Sequence, residues 1–139
     1  MSPDEALLAA TALHLGFQAV VTAVVYPSLL EVPTERWAAV HAAHSRRITY
    51  VVGPVYLLLA AACLWVLAAG PRTALTMCAV TASAVVALLT ASVAAPTHGR
   101  LGRDGPSREL VARLRVCDHL RLGAALLAAG AALAAVLSG

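Results

Sequence analysis

Lysine is absent from these 139 residues: all ten basic positions are arginine. Charge of either sign is scarce, at 12% of the chain, too little for the surface that keeps a soluble fold of this size dissolved. Cys63, Cys78 and Cys117 are isolated from one another, with no CxxC pair, so no disulfide framework is expected. The positive charge that opens a secretory signal is missing too, since Asp4 and Glu5 precede the first apolar block. That block continues for about 20 residues, longer than a signal core, and reads as a retained helix. No internal repeat or low-complexity tail is evident.

What the chain has in excess is apolar surface: 60% hydrophobic residues and a mean hydropathy of +0.82. The excess falls into four blocks, at about 6–26, 48–69, 73–95 and 118–138. Each is long enough to cross a hydrocarbon layer of about 30 Å at about 1.5 Å per residue. The expectation is an all-α, single-domain, up-down bundle of four transmembrane helices, extended by helical segments on the cytoplasmic side. The arginines set its orientation. Arg36, Arg46 and Arg47 follow the first block; Arg100, Arg103, Arg108, Arg113, Arg115 and Arg121 lie between or at the edges of the last two; only Arg72 falls on the other side. This asymmetry predicts both long connections inside and both termini outside. It also accounts for the net charge of +3 without a nucleic-acid partner, because these arginines alternate with Asp104, Glu109 and Asp118.

Local signals refine the layout. Helix 1 is expected to stop at Tyr26-Pro27. A new helix should begin near Thr34, with Thr34 as its cap and Glu35 in its first turn. Trp37, His41, His44 and Ile48 share one face of that helix, and Gly53-Pro54 is the expected kink. The tight "AAGPRT" turn makes helices 2 and 3 antiparallel neighbours. "APTHGRLGRDGPSREL" reads as a loop with a fresh helix start near Pro106.

Polar residues inside the spans form lines. His14, Gln18, Thr22 and Tyr26 recur every four residues, and Thr76, Ser83, Thr90 and Thr97 every seven. Side chains of this kind turn inward, away from hydrocarbon. Such a line either bonds helices together or coats a cavity, and both readings stay open. His14 is the ionisable member and hence the functional candidate; if it alone is functional, Gln18→Leu should be tolerated better than His14→Leu, whereas equal small losses of stability would favour packing. With Tyr56 on helix 2, His14, Gln18, Thr22 and Tyr26 are the candidate substrate-contacting residues. His41 and His44, three residues apart, could supply two metal ligands with His98 as a third; the cofactor is therefore none or one transition metal. Asp118, His119 and Arg121 cluster where the last span begins, with Asp118 and Arg121 spaced to pair.

The stretch "APTHGRL", a loop, and then "DHLRLGAALLAAGAALA" resembles the anthrone-oxygenase-like family of small bacterial four-helix membrane proteins. Pro96, His98 and Leu101 correspond to its first motif, and His119, Leu120 and Arg121 to an "NHLR"-type motif opening the last helix. Asp118 stands where that motif carries asparagine, and the tryptophan often found just before it is absent. The resemblance covers about residues 95–135 and implies oxidation of anthrones to anthraquinones with molecular oxygen, in aromatic polyketide pathways of secondary metabolism. It also implies a bacterial cytoplasmic membrane and a site built from His98, Asp118, His119 and Arg121. The expected partners are the lipid bilayer and a hydrophobic small-molecule substrate, with self-association left open. The rival reading is a non-enzymatic module: a small-molecule or metal carrier, or an accessory subunit. For topology, thiol labelling of Arg103→Cys should succeed only from the inner face of the membrane, and labelling from outside intact cells would reverse the orientation.

Overall fold

A computed structural model describes all 139 residues. It contains no strand. Four helices run its length: α1 (Pro3–Leu30), α2 (Thr34–Ala69), α3 (Ala74–Asp104) and α4 (Arg108–Ser138). All four are long and apolar enough to cross a membrane, so the chain is an all-α bundle of membrane-spanning type. Their starts follow from local chemistry. Ser2 and Glu5 form a reciprocal capping box on α1, Thr73 accepts the Thr76 N–H on α3, and Ser107 accepts the Leu110 N–H on α4. On α2 the cap position falls to Pro33 rather than Thr34, and no side chain caps it.

The helices pass through the prolines at which they were expected to stop. α1 runs beyond Pro27 to Leu30, and α3 beyond Pro96 to Asp104. Proline lacks an N–H and its ring presses on the carbonyl four residues earlier, which a regular α-helix does not absorb. In both helices the preceding turn is widened into a π turn, Val21–Val25 and Thr90–Ala94. There the Tyr26 N–H reaches the Val21 carbonyl and the Ala95 N–H reaches the Thr90 carbonyl. Pro54 is carried inside α2, which is continuous for 36 residues and about 54 Å at about 1.5 Å per residue.

The order of elements repeats although the sequence shows no repeat. A helix, a π turn, a short α segment with proline second, a brief connection and a long helix occur at 3–69 and again at 74–138. The connections, 31–33 and 105–107, lie at the arginine-rich end of the bundle. Gly105 closes α3 with φ +79°, a backbone state that costs glycine little.

Packing is uneven around the bundle. α4 lies closely against α1 and α3, and α1 against α2, whereas α2 and α3 touch sparsely despite their short connection. The apolar core is split. One cluster at the arginine-rich end joins Val21, Tyr26, Leu29, Trp37, Leu101, Leu110 and Leu114; another, toward the termini, joins Leu7, Val66, Ala79, Ala131 and Ala132. Between them lies a layer of buried polar residues, His14, Gln18, Ser83, Asp118 and Arg121. Large apolar side chains such as Val24, Leu57, Leu64, Leu88 and Leu127 are exposed on the outside, as a lipid-facing surface requires.

Trp37 joins α2 to α3 in the first cluster, since its buried indole N–H donates to the Leu101 carbonyl at 2.9 Å. Trp37→Phe should lose about 1 kcal/mol for that bond. Trp37→Ala should lose about 3–5 kcal/mol with the cavity it leaves. Unfolding by sodium dodecyl sulfate, followed by circular dichroism, measures both; an unaffected Trp37→Ala would show that other contacts close this end.

Candidate functional site

Gln18 and Asp118 meet at the centre of the polar layer. The Gln18 amide donates to Asp118 Oδ1 at 2.7 Å, and both residues are almost sealed from solvent, at 0% and 3% exposure. The same amide lies 3.3 Å from Thr22 Oγ1, and the Thr22 hydroxyl donates back to the Gln18 carbonyl at 3.0 Å. The regular spacing of the α1 line is what brings this bond to α4: Thr11, His14 and Gln18 are all buried on one face.

The Asp118–Arg121 ion pair suggested by their spacing is not formed. The one ion pair within 4 Å joins the Met1 ammonium to Glu5 at 3.9 Å. Arg121, only 4% exposed, instead donates to the Tyr56 hydroxyl at 3.5 Å, and its Nε has no partner. Donor and acceptor roles follow along this chain. The Thr90 hydroxyl donates to the Val86 carbonyl at 2.8 Å, so at 2.6 Å it accepts from Tyr56, whose oxygen accepts from Arg121. His14 packs edge-on against Tyr56, ring centres 5.1 Å apart, with Nε2 unpartnered.

A second set gathers toward the arginine-rich end. The Tyr26 hydroxyl lies 3.1 Å from His98 Nε2, and His98 Nδ1 lies 3.4 Å from His41 Nε2. Trp37 stacks on His41 at 5.2 Å. His44 is the outlier, its ring centre 6.3 Å from that of His98. The π turn and Pro96 bring α3 past this level, which is why a histidine expected in a loop sits among helices.

Both sets border one cavity of about 340 Å³. Its apolar wall includes Phe17, Val21, Val25, Ile48 and Val52; Tyr26, His44, Thr90, His98 and Arg121 supply its polar groups. A second, apolar groove of about 330 Å³ lies along the α2–α3 seam past Leu59, Cys63 and Ala84. Tyr56 lines that groove and Thr90 lines the cavity, so their hydrogen bond links the linings of the two spaces across the α2–α3 seam.

Of the residues singled out in the sequence, His44, His98, Arg121 and Tyr26 line the cavity, and Tyr56 and His14 adjoin it through Arg121 and Tyr56. Asp118, Gln18 and Thr22 form the bond behind it. His119 does not join them: it is exposed, being one residue on from Asp118 and so about 100° around the helix. The three-histidine metal site does not assemble, because no three His, Cys, Asp or Glu side chains converge to hold an ion. Thr90 and Trp37 were legible only as members of polar or apolar faces, and neither carried a site assignment in the sequence. Comparison with protein-family models, with characterised proteins and with solved structures finds no match.

The geometry reverses the mutational order expected from the sequence. Gln18→Leu removes the donor of a buried carboxylate and should cost about 2–3 kcal/mol. His14→Leu removes a ring whose Nε2 is already unpartnered and should stay within about 1 kcal/mol of wild type. Thermal and detergent unfolding of the two variants decide the order; equal losses would mean that Asp118 finds another donor.

Proposed function

We propose that this protein is a membrane-embedded enzyme acting on a hydrophobic, weakly acidic small molecule, and that it oxidises it. The observation that carries the reading is Arg121. A guanidinium buried in an apolar bundle is expensive and is a functional candidate by default. This one has a single long hydrogen bond, an unpartnered Nε and an edge on the cavity. A ligand that presents a negatively charged oxygen supplies what it lacks.

A polycyclic ketone with an acidic CH₂ fits both the cavity and that requirement. It enters from the bilayer through the sparsely packed α2–α3 seam. Its carbonyl oxygen meets Arg121, which stabilises the enolate as charge develops there, while the Tyr56 oxygen, accepting from the guanidinium, holds it in place. The proton leaves the carbon to the Tyr26–His98 pair, general-base work for which an imidazole is suited. The electron-rich carbon then reduces molecular oxygen and forms a C–O bond. The peroxide anion so formed takes one proton back to become the hydroperoxide, and loss of water from it leaves a new carbonyl. One oxygen atom is therefore retained, the other departs as water, and no net proton is released. Asp118, held by Gln18, offsets the charge of Arg121 within its own helix and takes no part at the carbon.

The resemblance of the region around His98 and Arg121 to anthrone oxygenases supports anthrone as the first substrate to try. Protein in lipid nanodiscs should convert anthrone to anthraquinone faster than empty nanodiscs, with one O₂ consumed per product. Arg121→Gln should lower kcat by about 10²–10³-fold. A folded wild type without activity on anthrone or other acidic polycyclic ketones would favour the carrier or accessory reading instead.

A further inference from the structure

Each turnover proposed for the cavity takes one proton off the substrate carbon and returns one to the peroxide, so the cavity needs a proton route to solvent. Tyr26 borders the cavity, and from its hydroxyl three groups lie in file: Tyr26 OH, His98 across 3.1 Å, and His41 across 3.4 Å. His98 uses Nε2 toward Tyr26 and Nδ1 toward His41, so the two faces of one ring serve two neighbours. His41 uses Nε2 inward. Its Nδ1 has no partner in the protein, yet it is not among the sealed polar atoms, which are Asp4 Oδ1, His14 Nε2, Gln18 Oε1 and Arg121 Nε. His41 is only 4% exposed, so its far nitrogen keeps no more than a small opening beside Gly102. Gly102 lies beside that edge: a Cβ there would come within 3.4 Å of Nδ1 and Cε1.

We propose that Tyr26, His98 and His41 form a proton path from the cavity to the arginine-rich end of the bundle. Its purpose rests on the reading of the cavity as a reaction site. An imidazole can take a proton on one nitrogen while releasing another from the second. The starting arrangement is consistent along its length: Tyr26 O–H donates to His98 Nε2, His98 Nδ1–H donates to His41 Nε2, and His41 Nδ1–H faces solvent. When the Tyr26 oxygen accepts a proton from the substrate carbon, its own proton passes to His98. The Nδ1 proton of His98 passes to His41, and the Nδ1 proton of His41 leaves to water. One proton enters, one leaves, and the path itself is neither oxidised nor reduced. Trp37, stacked on His41 and anchored to the Leu101 carbonyl, positions the outer ring. His44 stands outside the file, with no hydrogen bond to His98 or His41; its ring centre is 6.3 Å from that of His98.

Two measurements test the path, one of which needs no substrate. In nanodiscs containing the full chain with ¹⁵N-labelled histidine rings, NMR should show Nδ1–H tautomers at His98 and His41. It should also show a coupling across the His98 Nδ1–His41 Nε2 hydrogen bond. Absence of that coupling overturns the proposal. With anthrone as substrate, His41→Ala should lower kcat at least about tenfold at unchanged KM, and added imidazole should restore it. A folded His41→Ala variant that is fully active, or one whose loss imidazole does not relieve, also overturns it. If His41→Ala fails to fold, His41→Gln, which cannot relay a proton between two ring nitrogens, takes its place in the same assay. A wild type inert toward anthrone counts against the oxygenase reading alone, and the NMR coupling then decides the path by itself.

Discussion

A carboxylate buried among apolar helices has to be bonded from within the protein, and at Asp118 that duty falls to Gln18. The 2.7 Å bond ties α1 to α4 at mid-bundle, where the apolar core is interrupted. Much else depends on it. Gln18 bonds Asp118 Oδ1, while Arg121, one turn away, has no ion-pair partner and its guanidinium turns to Tyr56 and the cavity. A direct Asp118–Arg121 pair would have neutralised both groups and left the cavity with little electrostatic character. The stability of the polar layer and the reactivity proposed for it are therefore set by one choice of partner.

The second constraint is the pair of prolines. In each half of the chain a proline follows a π turn, and the helix continues instead of ending. A π turn fits an extra residue into the turn and so changes which side chains face inward beyond it. Tyr26 and His98 both lie past such a turn and meet at 3.1 Å. The repetition of helix, π turn, proline segment and long helix gives two similar hairpins, and parallel repeats of this sort recur in membrane proteins. The halves differ in their polar residues, so the candidate groups are unevenly shared within a similar frame: His14 and Gln18 belong to the first, Asp118 and Arg121 to the second.

The sparse packing of α2 on α3 gives this frame a weak side. It coincides with the cavity, with the groove beyond it and with the Tyr56–Thr90 hydrogen bond that crosses between them. Helix contacts are elsewhere made by the alanine-rich face of α4, where Ala125, Ala128 and Ala132 are buried and allow close approach.

By itself the sequence determined the number of helices, their membrane-spanning character and the inward direction of the polar lines. These follow from composition and periodicity, because an apolar run of about 20 residues has few alternatives and a polar side chain cannot face lipid cheaply. It also singled out His98, Asp118 and Arg121 as residues worth following. Only the tertiary structure decided their partners. Spacing along one helix allowed Asp118 to pair with Arg121, but the bond it makes is to Gln18, a hundred residues away in the chain. His41 and His44 looked equivalent on their helix, yet only His41 reaches hydrogen-bond distance of His98, while His44 lines the cavity beside it. His119 looked like part of the site and turned outward, since adjacent residues on a helix cannot face the same point. Helix ends were misjudged at Pro27 and Pro96 for a related reason. Proline's local effect is to end a helix, and the packing that holds the widened turns in place is contributed by residues distant in sequence.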